Sequence, residues 1–230
     1  MRMMVAGLAM MPADAQDIEP DGPDIVVTAG KPLRVDAKLL RAAQRRFAED
    51  RPAHAPRATL RFELWRGYSR ISATDVGLAL TDGAGGQLPV TIDGDGRVVF
   101  ATLPAGRWFL TAPAQSQGMH LRPIVLSSGT SVEDRRLGDL RAQCRVMVAM
   151  AKADASLLAM PLIGMFDAIG GCASKRFGFY HPVEHPLASA TATGAGVMRT
   201  LRLSVTSTSY EAPLSDRNLP NDARVRLAYR

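Results

Sequence analysis

No run of about twenty uninterrupted apolar residues occurs in the 230-residue chain, so the sequence predicts no membrane-spanning helix and a soluble mature protein. Cysteine is scarce: Cys144 and Cys172 are the only two, without C-x-x-C spacing and with no histidine within a few residues of either. That pattern speaks against a thiol nucleophile. G-x-S-x-G, S-x-x-K, a P-loop and a helix-opening G-x-G-x-x-G are also missing, which removes the local signatures of serine hydrolases and nucleotide binders.

What is present points to a folded chain. Hydrophobic residues make up 47% of the sequence, enough for a core. The 28 Lys plus Arg against 22 Asp plus Glu give a net charge of +6 and a pI near 9.8. The excess is modest and sits between Lys31 and Arg70, where eleven basic residues face four acids. Such a stretch reads as a solvated helix face, and no nucleic-acid partner is expected.

The N-terminus carries Arg2, an apolar run from Met3 to Met11, and Ala13-Asp14-Ala15. Residues 1–15 therefore read as a secretory signal, with an ordinary cytosolic N-terminus as the competing reading. No Cys follows directly, which sets aside a lipoprotein anchor. A periplasmic or secreted location is expected, and it predicts a Cys144–Cys172 disulfide worth roughly 3 to 4 kcal/mol by loop closure. Residues 16–35, rich in acids, proline and glycine, read as a flexible tail. Within it "DIVVTAG", Asp24 to Gly30, resembles the segment that opens many TonB-dependent outer-membrane receptors, though 230 residues cannot supply their plug and barrel.

From Asp36 the pattern turns helical: Asp36 is a capping residue, and Leu39, Leu40, Ala43 and Phe47 recur at three- and four-residue spacing. "RPAHAP" ends this 36–57 helix and linker, leaving His54 exposed. The period then becomes two, with Leu60, Phe62 and Leu64 alternating against Arg61, Glu63 and Trp65. Short apolar segments separated by Gly, Pro, Asp and Ser continue through residue 127 in the rhythm of an antiparallel sandwich or small barrel.

"DGDG", Asp93 to Gly96, invites comparison with a calcium loop. An EF-type loop needs oxygen ligands at positions 1, 3, 5 and 12, and here position 5 is Arg97 and position 12 is Pro104. The stretch reads instead as a hairpin turn. "DGDGRVVFATLPAGRWFLTA" resembles the repeat of Cna-B and carboxypeptidase-regulatory-like modules, through Asp93, Gly96, Val98, Phe100, Leu103, Pro104, Gly106, Trp108 and Leu110. The resemblance covers about Thr59 to Leu126 and implies a transthyretin-like β-sandwich over 58–127, a spacer or ligand-binding accessory without catalytic residues. Residues 58–127 contain no Lys, which departs from the members that form isopeptide cross-links. The whole chain resembles exported proteins of Gram-negative bacteria, a likeness that carries no function.

In residues 128–230 the even positions Leu140, Ala142, Cys144, Val146, Val148 and Met150 predict a long strand. A helical stretch with Pro161 near its start and Gly170-Gly171 at its end follows, then four short strands. The fold class expected is α+β, mainly β: a transthyretin-like antiparallel sandwich preceded by one helix and followed by a disulfide-bonded α+β portion. "HPVEH" matches H-x-x-E-H, in which two histidines bind zinc from one helix face. Pro186 disfavours that helix, so His181, Glu184 and His185 read as turn residues, with a loop metal site or zinc hydrolase as the alternative. Met147, Met150, Met160 and Met165, with Met119 and His120, read as core packing rather than a copper(I) site. No cofactor is expected. The function expected is non-enzymatic, binding or structural in the cell envelope, with an envelope protein or glycan as partner; the runner-up is an exported hydrolase or metal-dependent enzyme using the His181, Glu184 and His185 region.

Overall fold

The computed structural model describes residues 32–113, 116–156, 160–176 and 178–230. The expected signal peptide and the "DIVVTAG" segment lie outside the described residues. Of the expected tail, Leu33 and Val35 are buried, and Arg34–Asp36 form strand β1, paired with a later strand at Phe109–Thr111. Two apolar side chains in six residues and a partner edge are enough to order the end of this polar segment.

Helix α1, Ala37–His54, follows directly. Asp36 caps it, its Oδ1 accepting from the Lys38 amide at 2.8 Å, and Leu39, Leu40, Ala43 and Phe47 are buried as their spacing predicts. The helix runs through Pro52, which sits in its last turn, and ends at His54. His54 is half-buried rather than exposed. Desolvation and the nearby Arg145 charge lower its pKa. On its other side α1 grips the Leu103–Gly106 corner, Arg41 donating to the carbonyls of Pro104 (2.9 Å) and Gly106 (3.0 Å) and Gln44 to that of Phe100 (2.7 Å). Gly106 has φ +86°, a left-handed turn that favours glycine.

Two antiparallel sheets surround the first core. One orders β1, β8 (Phe109–Thr111), β4 (Ala79–Thr81) and β5 (Gln87–Pro89). The other is built on β2 (Ala58–Arg66), flanked by β3 (Ser69–Ile71) and β7 (Val98–Val99), with β6 (Thr91–Ile92) beyond. Along its other edge β2 pairs over its full length with β9 (Met119–Ser127), from Ala58↔Ser127 to Arg66↔Met119. Phe62, Leu64, Val98, Leu121 and Val125 meet Leu80 and Leu110 in the core between the sheets. The Asp93–Gly96 turn joins β6 to β7 as a hairpin: Asp93 Oδ1 accepts from the amides of Asp95 and Arg97, both at 2.9 Å. Asp93 Oδ2 stands 3.2 Å from Arg61 Nε, an ion pair without a directed hydrogen bond.

The predicted long strand is a helix. After β10 (Asp134–Arg136), α2 spans Leu137–Asp154. Its even-numbered apolar residues are two interleaved ladders four residues apart, which in a helix lie on different faces. Ala142, Val146 and Met150 belong to the first core, while Leu137, Leu140 and Cys144 belong to a second. A helix buried on two sides thus imitates the alternation of a strand. Its N-terminus is held tightly: Gly138 lies against the His54 carbonyl with no room for a Cβ, and its amide donates to Asn221 at 2.8 Å.

The second core is closed by the sheet β10, β15 (Arg224–Tyr229), β12 (Leu187–Gly194) and β13 (Val197–Thr200), and by the pair β11 (Phe179–Pro182) and β14 (Ser209–Ala212). Arg141 of α2 gathers the 214–221 loop, donating to the carbonyls of Leu214, Asp216 and Leu219 and to Asn221 Oδ1. Helix α3, Met160–Ala168, ends before Gly170 at φ +97°, and the next turn carries Cys172, disulfide-bonded to Cys144 across 6.1 Å between Cα atoms. The disulfide therefore anchors α3 to a helix shared by both cores, not to the second half alone. The architecture is α+β with mostly antiparallel sheets, and no described helix is long and apolar enough to cross a membrane.

Candidate functional site

Over much of its length the β2–β9 ribbon is covered on both faces. Ala58, Leu60, Phe62 and Leu64 of β2 pack into the first core, and Glu63 and Trp65, beside His120, Arg122 and Ile124 of β9, face the second half. A cavity of about 390 Å³ lies there. Glu63, Trp65, His120 and Arg122 form one wall, β11 and residues 204–209 the opposite one, and Gln143 and Met147 of α2 line it between them. That size is within the range of small-ligand sites.

Behind the wall a buried polar network sets the geometry. Arg135, with no exposed surface, donates to the Val125 carbonyl (2.7 Å), Gln143 Oε1 (2.7 Å) and His181 Nε2 (2.8 Å). Asp139, equally buried, accepts from the amide and hydroxyl of Ser127 at 2.8 and 2.7 Å. Glu63 is held by Arg97 Nε at 2.9 Å and by Trp65 Nε1 at 3.2 Å. Arg122 lies 4.9 Å over the Trp65 ring and donates from Nε to His120 Nε2 at 2.8 Å. Polar groups this deep are tolerated where they are paired; the Arg135 Nε and the Tyr210 hydroxyl are buried without a hydrogen-bond partner among the described residues.

His181 is packed by protein on most sides yet keeps part of its ring open to the cavity. Desolvation, then the positive charges of Arg135 and Arg122, hold its pKa well below 6.5, so the ring is neutral at pH 7. Tyr210, whose ring is 5.5 Å away, is pushed up to about 12 by burial. Among the described residues, the hydrogen-bonding neighbours of His181 are Arg135 and Gln143, and neither a carboxylate nor a hydroxyl is hydrogen-bonded to it.

The other two residues of the H-x-x-E-H pattern are placed elsewhere. Glu184 accepts from the Arg70 amide at 3.1 Å, and His185 lies edge-on to Tyr229 with ring centroids 6.2 Å apart. His181 is in β11, and extended backbone does not bring positions four apart onto one helical face. Among the described residues, no three His, Cys, Asp or Glu side chains come together in a way that could hold a metal. Of the methionines, Met119 and Met150 are buried, Met147 lines the cavity, and Met165 is exposed.

Glu63, Trp65, Arg122, Arg135 and Gln143 carry the site and had no motif to announce them. A strand face bearing Glu63 and Trp65 reads locally as a solvent face; only the burial of both, at 6% and 5% exposure, distinguishes it. No family model matches the chain, and no curated protein or solved structure is similar to it at a level that carries an argument.

Proposed function

We propose that the chain is an exported, non-enzymatic binding protein whose ligand occupies the cavity between the β2–β9 ribbon and the second half. One observation carries this reading: about 390 Å³ of space bounded by a preorganised, hydrogen-bonded wall of charged and aromatic side chains. The Cys144–Cys172 disulfide accords with a periplasmic or secreted location. The paired antiparallel sheets around the first core accord, in outline, with the transthyretin-like module that the Asp93–Ala112 resemblance implies. The hydrolase alternative draws no support from the geometry, because Glu184 and His185 are engaged away from His181 and, among the described residues, no hydroxyl is hydrogen-bonded to the His181 ring. A small envelope molecule or glycan is the partner class that fits the cavity.

Native mass spectrometry after incubation with envelope extract tests the reading. The wild-type chain retains a small molecule that denaturation releases, and Thr208→Phe, which fills the cavity from its wall, does not. Equal retention by both, or none by either, refutes it.

A further inference from the structure

Two hydrogen-bond donors face each other at the cavity surface. His181 Nδ1 and Gln143 Nε2 are 3.5 Å apart. Arg135 Nη1 lies 2.8 Å from His181 Nε2 and 3.5 Å from Nδ1; a guanidinium only donates, and the shorter contact assigns Nε2 as the acceptor of the neutral ring and the hydrogen to Nδ1. The amide of Gln143 is oriented equally firmly. Its Oε1 accepts from Arg135 at 2.7 Å and from the Val125 amide at 3.3 Å, leaving Nε2 as a pure donor. Gln143 is 4% exposed and both residues line the cavity; with that tautomer the hydrogen-bonding neighbours of His181 Nδ1 among the described residues are donors, and it and Gln143 Nε2 offer each other no acceptor. Unmet donors at this depth are costly unless something supplies an oxygen.

We propose that the His181 Nδ1 and Gln143 Nε2 pair, with the Arg122 guanidinium, forms a subsite for the carboxylate of a small organic acid whose apolar body lies against Trp65, Met147 and Phe179. The proposal rests on the binding reading above and names its ligand class. Among the described residues, Glu63 is the one carboxylate lining the cavity, and it is already engaged by Arg97 and Trp65, so an incoming anion meets donors rather than a competing charge. The low pKa of His181, due first to burial and then to Arg135 and Arg122, keeps the ring neutral and reports the positive potential there. One cation and two neutral donors suit a single negative charge; a phosphate dianion would call for more positive charge.

Titration calorimetry with benzoate, benzamide and inorganic phosphate, together with nitrogen-15 NMR of the histidine rings, tests this on the whole chain. Benzoate binds at least tenfold more tightly than benzamide or phosphate, and Arg122→Met and His181→Phe each lower benzoate affinity at least tenfold. In the free wild-type protein His181 is the Nδ1–H tautomer. His181→Phe strips Arg135 of a partner; should it not fold, the Arg122→Met variant and the tautomer of the unaltered protein still decide. An Nε2–H tautomer, equal benzoate and benzamide affinity, or preference for phosphate overturns the proposal. Absence of benzoate binding while an extract-derived ligand is still retained sinks the carboxylate class and leaves the binding reading standing. Absence of both removes the two together.

Discussion

The first core and the seam beside it are built from opposite faces of the same β2–β9 ribbon. On one face Phe62, Leu64, Leu121 and Val125 join an apolar cluster that α1 closes. On the other, Glu63, Trp65, His120 and Arg122 meet Gln143 and His181 around an open cavity. The apolar face gains from every carbon it buries, by about 25 cal/mol per Å². The polar face gains little net, because each buried charge offsets its own desolvation only through well-placed partners. Burial alone therefore does not separate scaffold from site: hydrogen-bond geometry does. Helix α2 links the two regions, since its residues belong to both cores and its Gln143 reaches the cavity.

The strongest way to break this comparison is to damage one core and look for an effect in the other. Leu64→Ala in the first core and Leu187→Ala in the second each remove a fully buried side chain and are expected to cost up to about 5 kcal/mol. Because α2 is shared, each shifts one cooperative unfolding transition, followed by tryptophan fluorescence and circular dichroism together. Two separable transitions in either variant would show that the halves fold independently.

Loss of the disulfide comes next. Cys144→Ala with Cys172→Ala opens a loop of sequence separation 28 and is expected to cost about 3 to 4 kcal/mol. Hydrogen exchange should accelerate first in α3 and then along α2, including Val146 and Met150 on its first-core side. Unchanged protection there, with loss confined to α3, would restrict the bond to stapling one helix.

The smallest effect sharpens the character of the seam. Unfolded histidine titrates near 6.5 and His181 far below it, so between those values the unfolded chain holds one more proton. The contribution of His181 is complete above about pH 6.5 and falls as pH drops, by up to about 1.4 kcal/mol per pH unit. His54, also lowered, acts in the same direction. Urea unfolding at pH 7.5 and 5.0 should show this loss in the wild type and a smaller one in His181→Phe. Identical pH dependence in both proteins would mean that His181 is charged when folded.

Several parts of this arrangement are legible from local sequence. Asp36 and the Leu39-Leu40-Ala43-Phe47 spacing specify α1 and its cap because both effects act within one or two turns. The Asp93–Gly96 hairpin is legible for the same reason, since Asp93 bonds amides two and four residues ahead and Gly96 takes φ +72°. The cysteine pair is legible because only two exist. Helix α2 is not: its alternating residues divide between two cores, and neither core exists until chain on both sides of the helix has folded. Leu33 and Val35 were hidden within a polar stretch, where their partner edge lies some seventy-five residues away.

Sequence by itself thus determined the capped helix, the hairpin, the α+β class and the identity of the cross-linked cysteines, all of which depend on neighbours a few residues apart or on simple counting. Tertiary structure alone decided that Glu63 and Trp65 face inward, that α2 serves two cores, and that His181 meets Arg135 and Gln143 while Glu184 and His185 turn elsewhere. Those outcomes depend on which distant surface covers a given face. A period of two or four says how residues divide between faces and nothing about what each face will meet.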